Sequence, residues 1–186
     1  MVEATPAREH NVRLHLLVLR CQAGDERAFR QLLDEFGART LRYLRGLVGD
    51  DADDVQQDVW LSVYRAIATL ANPSAFRTWL FSTTRRRALD HLRKRRREQE
   101  LIVDADDAAT YDAADESALD AFGAGTLDDV LAGLPPPQRE VLLLRFQDQM
   151  SYSEIAVIVG CPVGTVKTRI HHAKRKLHDI LTRGTP

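Results

Sequence analysis

The 186-residue chain has few of the features that mark secreted, metal-binding or membrane proteins. Its two cysteines, Cys21 and Cys161, form neither a zinc-ligand cluster nor a disulfide framework, so we expect free, buried thiols in a reducing cytosol. The apolar residues between Leu14 and Leu19 are interrupted by His15 and are far too few to span a membrane. No signal peptide is visible. We therefore expect a soluble, cytoplasmic protein.

Motifs for covalent chemistry are also missing from the sequence. It has no paired carboxylates, no metal-ligand cluster and no Gly-rich phosphate loop. These absences argue against an enzyme that acts on nucleic acid. We expect no catalytic residues, no metal and no cofactor.

Strand patterns are nearly absent as well. Alternation of apolar and polar residues is nowhere sustained, and Gly and Pro lie between helical segments. The pattern predicts an all-α fold with two small helical domains joined by a flexible acidic linker. We place the domains at residues 1–97 and 126–186, with the linker at residues 98–125.

Charge is strongly segregated, although the net charge is only −1. Residues 85–97 contain eight Arg or Lys and one Asp. Residues 98–120 contain nine acidic residues and neither Lys nor Arg. A segment whose charges all have the same sign contacts a partner molecule more often than it forms part of a protein core.

The C-terminal segment from Ser151 to Leu177 predicts a helix-turn-helix. Ser151 and Glu154 have the spacing of a capping box at the start of the first helix. Gly160 suits the positive φ of a helix end, and Pro162 prevents the helix from continuing. The apolar residues of the second helix repeat at a helical period: Val166, Ile170, Ala173 and Leu177.

Burying that apolar side turns a polar and basic face outward. The outward residues are Gly164, Thr168, His171, His172 and Arg175, flanked by Lys167, Lys174, Arg169 and Lys176. A helix with an apolar inner side and with polar and cationic side chains on its outer side is typical of a recognition helix that lies in the major groove of DNA. The alternative is a helical hairpin whose charges are simply solvated.

The N-terminal domain contains three predicted helices. The first begins at a cap, Asp25, and ends at Gly49. The second begins in an acidic cluster and exposes Asp54, Gln57, Asp58 and Leu61 on one face. Its acids are either a docking face or residues that only offset the helix dipole. The third follows Asn72-Pro73, and its aromatic residues Phe76, Trp79 and Phe81 are either core or a stacking platform for unpaired bases.

Taken together, the segments resemble the extracytoplasmic-function sigma factors, the two-domain class of bacterial promoter-recognition subunits. The resemblance covers nearly the whole chain and rests on four segments: GDERAFRQLLDEF (24–36), DADDVQQDVWLSVYRAI (51–67), FRTWLFSTTRRRALDHLRKRRR (76–97) and LPPPQREVLLLRFQDQMSYSEIAVIVGCPVGTVKTRIHHAKRKL (134–177). It implies an N-terminal sigma-2 domain, which docks on core RNA polymerase and melts the −10 element. It also implies a C-terminal sigma-4 domain, which reads the −35 element. An anti-sigma factor is the expected regulator.

The resemblance also implies site residues. The polymerase-docking set, facing the β′ clamp helices, is Asp53, Asp54, Gln57, Asp58 and Leu61. The −10 set is Phe81, Arg85, Arg86, Arg87, His91, Arg93 and Lys94, while Trp79 stays in the core. The −35 set is Ser151, Tyr152, Thr165, Lys167, Thr168, Arg169, His171, His172, Lys174 and Arg175. The β flap of the polymerase is a further expected contact.

Some departures and alternatives remain. Arg86 stands where the family often has Asn, and a guanidinium cannot reproduce the donor-acceptor pattern of an amide. His171 and His172 either contact DNA or are solvated. The acidic linker either mimics nucleic acid in the polymerase channel or is a passive tether. The alternative function is a stand-alone helix-turn-helix regulator that binds duplex DNA as a dimer, which would need a sensor or dimerisation module that residues 25–97 do not show.

Overall fold

The computed structural model describes residues 6–102, 131 and 133–183, and these residues contain helices and no strand. We number the α-helices in chain order: α1 (Pro6–Gln22), α2 (Glu26–Val48), α3 (Ala52–Ala66), α4 (Phe76–Ile102), α5 (Pro136–Leu142), α6 (Tyr152–Val159) and α7 (Val163–Arg183). The all-α prediction is confirmed. Most of the predicted linker, residues 103–125, lies outside the described residues.

Helix α2 begins and ends where the sequence predicts. Asp25 is its N-cap, and its carboxylate accepts hydrogen bonds from the backbone N–H groups of Arg27 and Ala28. The Arg20 side chain hydrogen-bonds the same carboxylate, and this contact lowers the pKa of Asp25. Gly49 ends the helix at φ +64°, a left-handed conformation that costs glycine little. The cap and the glycine thus set the length of the helix that organises the N-terminal core.

Helix α1 was not predicted, and its apolar residues join the core. Leu14, Leu17 and Val18 are buried against the rest of the N-terminal domain, and α1 packs on α2. Cys21 is buried at its end, and burial raises the pKa of this thiol to about 11. Part of the apolar patch that is too short for a membrane span is therefore the inner face of a core helix, whereas Leu16 and Leu19 are 55% and 41% exposed. Among the described helices, none is long and apolar enough to cross a membrane.

Helices α3 and α4 complete the N-terminal domain. The face of α3 opposite the predicted exposed residues is buried, with Val55, Val59 and Val63 at most 3% exposed. Asn72 caps a single 3₁₀ turn (Pro73–Ala75) that leads into α4. Helix α4 continues to Ile102, beyond the boundary we placed at residue 97. Residues 98–102 are good helix formers, and an i,i+4 pair between Lys94 and Glu98 supports this extension.

The C-terminal domain contains the helix-turn-helix. Helix α5 continues into a π-helical turn (Leu143–Gln147), and α6 and α7 follow. The capping box is present: the Ser151 hydroxyl accepts from the Glu154 N–H at 3.2 Å, and the Glu154 carboxylate accepts from the Ser151 N–H at 2.8 Å. Gly160 ends α6 in the left-handed conformation, at φ +71°. Both predictions from residue spacing are confirmed.

The two domains pack directly on each other. Helix α4 runs against α6, and α2 contacts α5 and the π-helical turn. Phe76 and Leu80 of α4 belong to the same continuous apolar cluster as Ile155 of α6. The first helix of the helix-turn-helix therefore lies against the helix that carries the N-terminal basic run.

Candidate nucleic-acid interface

The outer face of α7 is free to meet a ligand. Val166, Ile170 and Ala173 are at most 4% exposed, so they anchor the helix as predicted. The opposite side presents exposed side chains at a helical period: Lys167, Thr168, His171, His172, Lys174 and Arg175. An exposed row of cations and hydrogen-bonding groups on an anchored helix suits contacts to phosphates and base edges in a groove.

Some of the predicted duplex-contact residues also make local contacts. The Ser151 hydroxyl is engaged in the capping box, and the Arg145 guanidinium lies over the Tyr152 ring at 5.0 Å. The Lys174 ammonium lies 5.0 Å from the centroid of the exposed Phe146 ring. These contacts position the edges of α6 and α7. Thr165 and Arg169 are half-buried at the flank of α7.

The basic run of α4 divides into an exposed and an engaged part. Arg86, Arg87, Arg93 and Lys94 are exposed. Arg93 pairs with Asp90 at 3.0 Å on the helix surface, a contact of little energetic weight. The neighbouring face is a groove of about 520 Å³ whose lining includes Leu89, Leu92 and Arg96. Apolar and cationic side chains together suit a nucleotide strand, which has both a base face and a phosphate.

Of the predicted −10 residues, Phe81 is enclosed and Arg85 is partly exposed. Phe81 is fully buried, and its ring packs against Tyr43 with centroids 5.5 Å apart. The Arg85 side chain is 21% exposed, and its Nε donates to Glu140 Oε1 of the C-terminal domain at 2.7 Å. Phe81 is thus inaccessible to a DNA strand, whereas Arg85 is partly exposed and lines the same groove as Leu89, Leu92 and Arg96. The aromatic residues Phe76 and Phe81 are core, and Trp79 is partly buried beside them.

The predicted docking face on α3 is exposed as a unit. Asp54, Gln57, Asp58 and Leu61 all reach solvent, and the Leu61 side chain is 48% exposed. Asp53, at the edge of this face, lies 3.7 Å from Arg45. The arrangement fits a surface for a basic partner with an apolar centre.

Sequence reasoning missed Tyr64, which extends the same face. Its side chain is 55% exposed, and one side of its ring packs edge-on against Phe29 at 5.1 Å. The signal was available, since Tyr64 follows Leu61 by three residues and so lies one helical turn further along. An aromatic ring held in place and half exposed is a typical anchor for a protein partner.

Other kinds of site lack support in the described part of the chain. His, Cys, Asp and Glu side chains form no group there that could hold a metal ion. Cys161 lies half-buried in the turn between α6 and α7, more accessible than the buried thiol we expected. The surfaces of the described residues are therefore suited to binding: α4 and α7 each present a cationic face, and α3 presents an acidic face.

Comparison with protein families assigns both halves of the chain. Residues 32–98 match the family described as Sigma-70 region 2, and residues 124–177 match Sigma-70, region 4. The RNA polymerase sigma-H factor of Pseudomonas aeruginosa is 33% identical over 177 residues, covering 89% of this chain and 92% of that protein. The ECF RNA polymerase sigma-E factor of Escherichia coli is 31% identical over 175 residues, covering 88% and 92% respectively.

Solved structures show the same arrangement of helices. CnrH, in its complex with the cytosolic domain of CnrY, superposes with a TM-score of 0.66 at 26% identity, covering 92% of this chain and 99% of CnrH. The sigma factor RpoE of Bartonella quintana, solved with the anti-sigma factor NepR, gives a TM-score of 0.66 at 27% identity, covering 83% and 96%. These similarities extend over both helical domains.

Proposed function

The chain belongs to the extracytoplasmic-function group of the sigma-70 family, and we propose that it binds core RNA polymerase and directs it to specific promoters. One structural observation supports this function independently of family membership. Two cationic surfaces, on α4 and α7, share a chain with an exposed acidic face on α3. A DNA-binding regulator needs only the first kind of surface, whereas a subunit that delivers polymerase needs both.

The acidic face is assigned to the polymerase. Asp53, Asp54, Gln57 and Asp58 meet basic residues of the β′ clamp helices, while Leu61 and Tyr64 supply apolar area at the centre. Charged contacts of this kind orient the encounter, and the buried aromatic and aliphatic groups hold it. The C-terminal domain is assigned a second contact, to the β flap.

The α7 face is assigned to the −35 element as a duplex. The Lys167 and Arg175 cations contact phosphates, and Thr168, His171 and His172 face the base edges. Ser151 and Tyr152 at the start of α6, with Thr165, Arg169 and Lys174 at the flanks of α7, complete the footprint. Phosphate contacts set register and affinity, and only the base-edge contacts carry sequence preference.

The α4 face is assigned to the −10 element as an opened strand. Capturing a flipped base must offset unpairing costs of a few kcal/mol. Arg85, Arg86, Arg87, His91, Arg93 and Lys94 supply phosphate and stacking contacts, and Phe81 lies beneath them. Arg86 is exposed where the family often has Asn, so we expect a −10 preference that differs from that of Asn-bearing relatives.

The remaining assignments follow from the same role. The sigma-2-like domain spans residues 1–97, the acidic linker 98–125 and the sigma-4-like domain 126–186. The protein catalyses no covalent step and acts in the bacterial cytoplasm, where the polymerase is. By analogy with the RpoE–NepR pair, an anti-sigma factor restrains it.

Run-off transcription with purified core polymerase tests this function. Templates are selected first by chromatin occupancy after overexpression, which returns candidate promoters without assuming their sequence. We expect promoter-dependent transcripts only when the protein is present, and loss of them when the −35 or the −10 element is scrambled. The proposal fails if no template yields a transcript and the protein does not bind core polymerase.

A further inference from the structure

The outer face of α7 carries two adjacent histidines. His171 and His172 are both exposed, and their rings meet edge to face with centroids 5.9 Å apart. The buried residues Ile170 and Ala173, which flank the pair in the sequence, hold this turn of the helix against the domain core. Both imidazoles therefore project from a fixed backbone into solvent. Imidazole is the side chain whose charge ordinarily changes between about pH 5 and about pH 8.

Cations surround the pair on its own helix. Five of them lie within one helical turn of the two histidines: Lys167, Arg169, Lys174, Arg175 and Lys176. The first acidic residue of α7 is Asp179, about two turns beyond His172. A face with this charge attracts the phosphates of a duplex, and phosphates favour the charged form of a nearby imidazole.

The charged side chains of the neighbouring elements are engaged elsewhere. Helices α5 and α6 pack on α7, and the π-helical turn reaches it through the contact of Phe146 with Lys174. Each charged side chain of these elements has another partner: Arg139 donates to the Leu131 carbonyl, Glu140 accepts from Tyr43 and Arg85, Arg145 lies over Tyr152 and donates to the Met150 carbonyl, and Glu154 closes the capping box. The charge state of the histidine pair therefore depends on α7 itself and on the ligand that it meets.

Thr168, which shares the outer face with the histidines, has its proton engaged. Its hydroxyl donates to the Gly164 carbonyl, one turn back, at 3.1 Å. The hydroxyl oxygen remains as an acceptor, which suits the amino groups of adenine or cytosine. Donors for the acceptor atoms of a base pair must therefore come from the histidines or from the flanking cations.

The two charge states of an imidazole match different bases. A charged imidazole donates from both ring nitrogens, whereas a neutral one donates from one nitrogen and accepts at the other. Guanine presents two acceptors in the major groove, N7 and O6, while adenine places an amino donor beside its N7 acceptor. Charged imidazoles therefore favour guanine, and neutral imidazoles lose that discrimination.

We propose that His171 and His172 bind the −35 duplex as charged imidazolium groups that recognise guanine, so that DNA binding takes up protons and the preference for guanine strengthens as the pH falls. The inference rests on the proposed function of α7 and specifies how its sequence preference arises. Each proton comes from solvent, adds to the unprotonated ring nitrogen and returns to solvent when the duplex dissociates. Affinity rises as the pH falls from about 8 to about 6, and it levels off once both imidazoles are charged in the free protein as well.

Binding of the full-length protein to duplex DNA tests this coupling. The probes come from a random-sequence duplex library, selected on the purified protein without polymerase at about pH 6 and at about pH 8. Fluorescence anisotropy then measures the affinity of the most enriched duplex across this range, at constant ionic strength because phosphate contacts are sensitive to salt. Calorimetry in two buffers that differ in ionisation enthalpy counts the protons taken up per complex.

Two double variants bracket the wild type. His171→Gln with His172→Gln never carries charge at these positions, whereas His171→Arg with His172→Arg always does. Glutamine and arginine are both good helix formers, so α7 should be retained. The matched control is His10→Gln, which removes an exposed imidazole from α1 in the other domain.

We expect the wild type and the His10 variant to bind about tenfold more tightly at about pH 6 than at about pH 8, with uptake of about one proton per complex. The affinity of both double variants should not change with pH. Replacing guanine by adenine at the most strongly selected position should cost the wild type about tenfold in affinity at the lower pH and clearly less at the higher pH. The inference is overturned by parallel pH curves in the wild type and the glutamine variant, by proton uptake that persists in that variant, or by a selection that enriches no duplex at either pH.

The outcomes separate this inference from the proposed function. If the wild type initiates transcription with core polymerase but its duplex affinity does not change with pH, only the inference fails. If duplex binding takes up protons through His171 and His172 but no template yields a transcript, only the proposed function fails.

Discussion

His91 Nε2 lies 3.0 Å from Asp51 Oδ2, and this contact joins the middle of α4 to the turn that precedes α3. Arg95, one turn further along α4, donates to the same Asp51 oxygen at 2.7 Å. The proposed strand-binding helix is thereby fixed to the base of the proposed docking face. The Asp51 carboxylate therefore helps to hold in position both the helix proposed to bind polymerase and the helix proposed to bind DNA.

Asp51 should contribute to the acid stability of the protein. The hydrogen bond from His91 lowers the pKa of Asp51, and the charge of Arg95 adds to this effect. A lowered folded-state pKa means that the stabilisation is complete above the ordinary value of about 3.9 and is lost as the pH falls through the folded-state value. Asp51→Asn should thus flatten the fall in melting temperature below about pH 4. Asp50→Asn, the adjacent exposed acid, is the control, and equal flattening in both variants would contradict the assignment.

Reversing the charges of Asp54 and Asp58 to lysine should weaken binding to core polymerase by at least about tenfold, because like charges would then oppose each other across the interface. Both side chains are exposed, so the fold should be unaffected. Asp34→Lys with Asp179→Lys makes the same change of net charge at exposed positions elsewhere. Pull-down and anisotropy with labelled core polymerase measure the difference, and unchanged binding would refute the docking face.

Replacing Lys167 by alanine should weaken binding to a −35 duplex uniformly across sequences. Each phosphate contact that is lost should reduce the slope of log affinity against log salt concentration by about 1. Arg30→Ala, which removes an exposed cation from α2, should leave that slope unchanged. A titration series over salt concentration gives both slopes. If the salt slope fell only in the Arg30 variant, the duplex would contact the N-terminal domain, and the assignment to α7 would be refuted.

Ser151→Ala should destabilise the C-terminal domain by about 1 kcal/mol, because it removes the N-cap hydroxyl that accepts a hydrogen bond from the Glu154 N–H. Ser153→Ala changes an exposed serine within the same helix and should cost little. Urea unfolding with each variant measures the free energy of unfolding. Equal effects of the two substitutions would show that the capping box contributes nothing.

The parts of the fold that depend on near neighbours could be predicted from the sequence. Asp25, Gly49, Ser151 and Gly160 mark helix ends through interactions within about four residues, and each acts as its type predicts. The exposed face of α3 follows from helical period alone. Helix α1 was missed because polar residues break its apolar pattern, and its burial depends on partners far along the chain.

The interface between the domains could not be predicted in this way. Glu140 and Asp148 look like ordinary surface acids in the sequence, and Arg85 looks like one more cation in a basic run. Only packing shows that the first two are buried and that the third is held by one of them. Phe81 is a similar case, since its neighbour Tyr43 lies 38 positions earlier in the chain.

Local hydrogen bonding and the 3.6-residue period of the helix set the all-α class, the helix ends, the helix-turn-helix and the charged faces, so these features follow from the amino-acid sequence alone. Which charged side chains are available to a partner depends instead on tertiary packing. Burial and ion pairing depend on residues that are distant in sequence and adjacent in space, as Arg85 and Glu140 are. Whether a basic residue meets solvent, DNA or a carboxylate of the other domain is therefore a property of the packed chain.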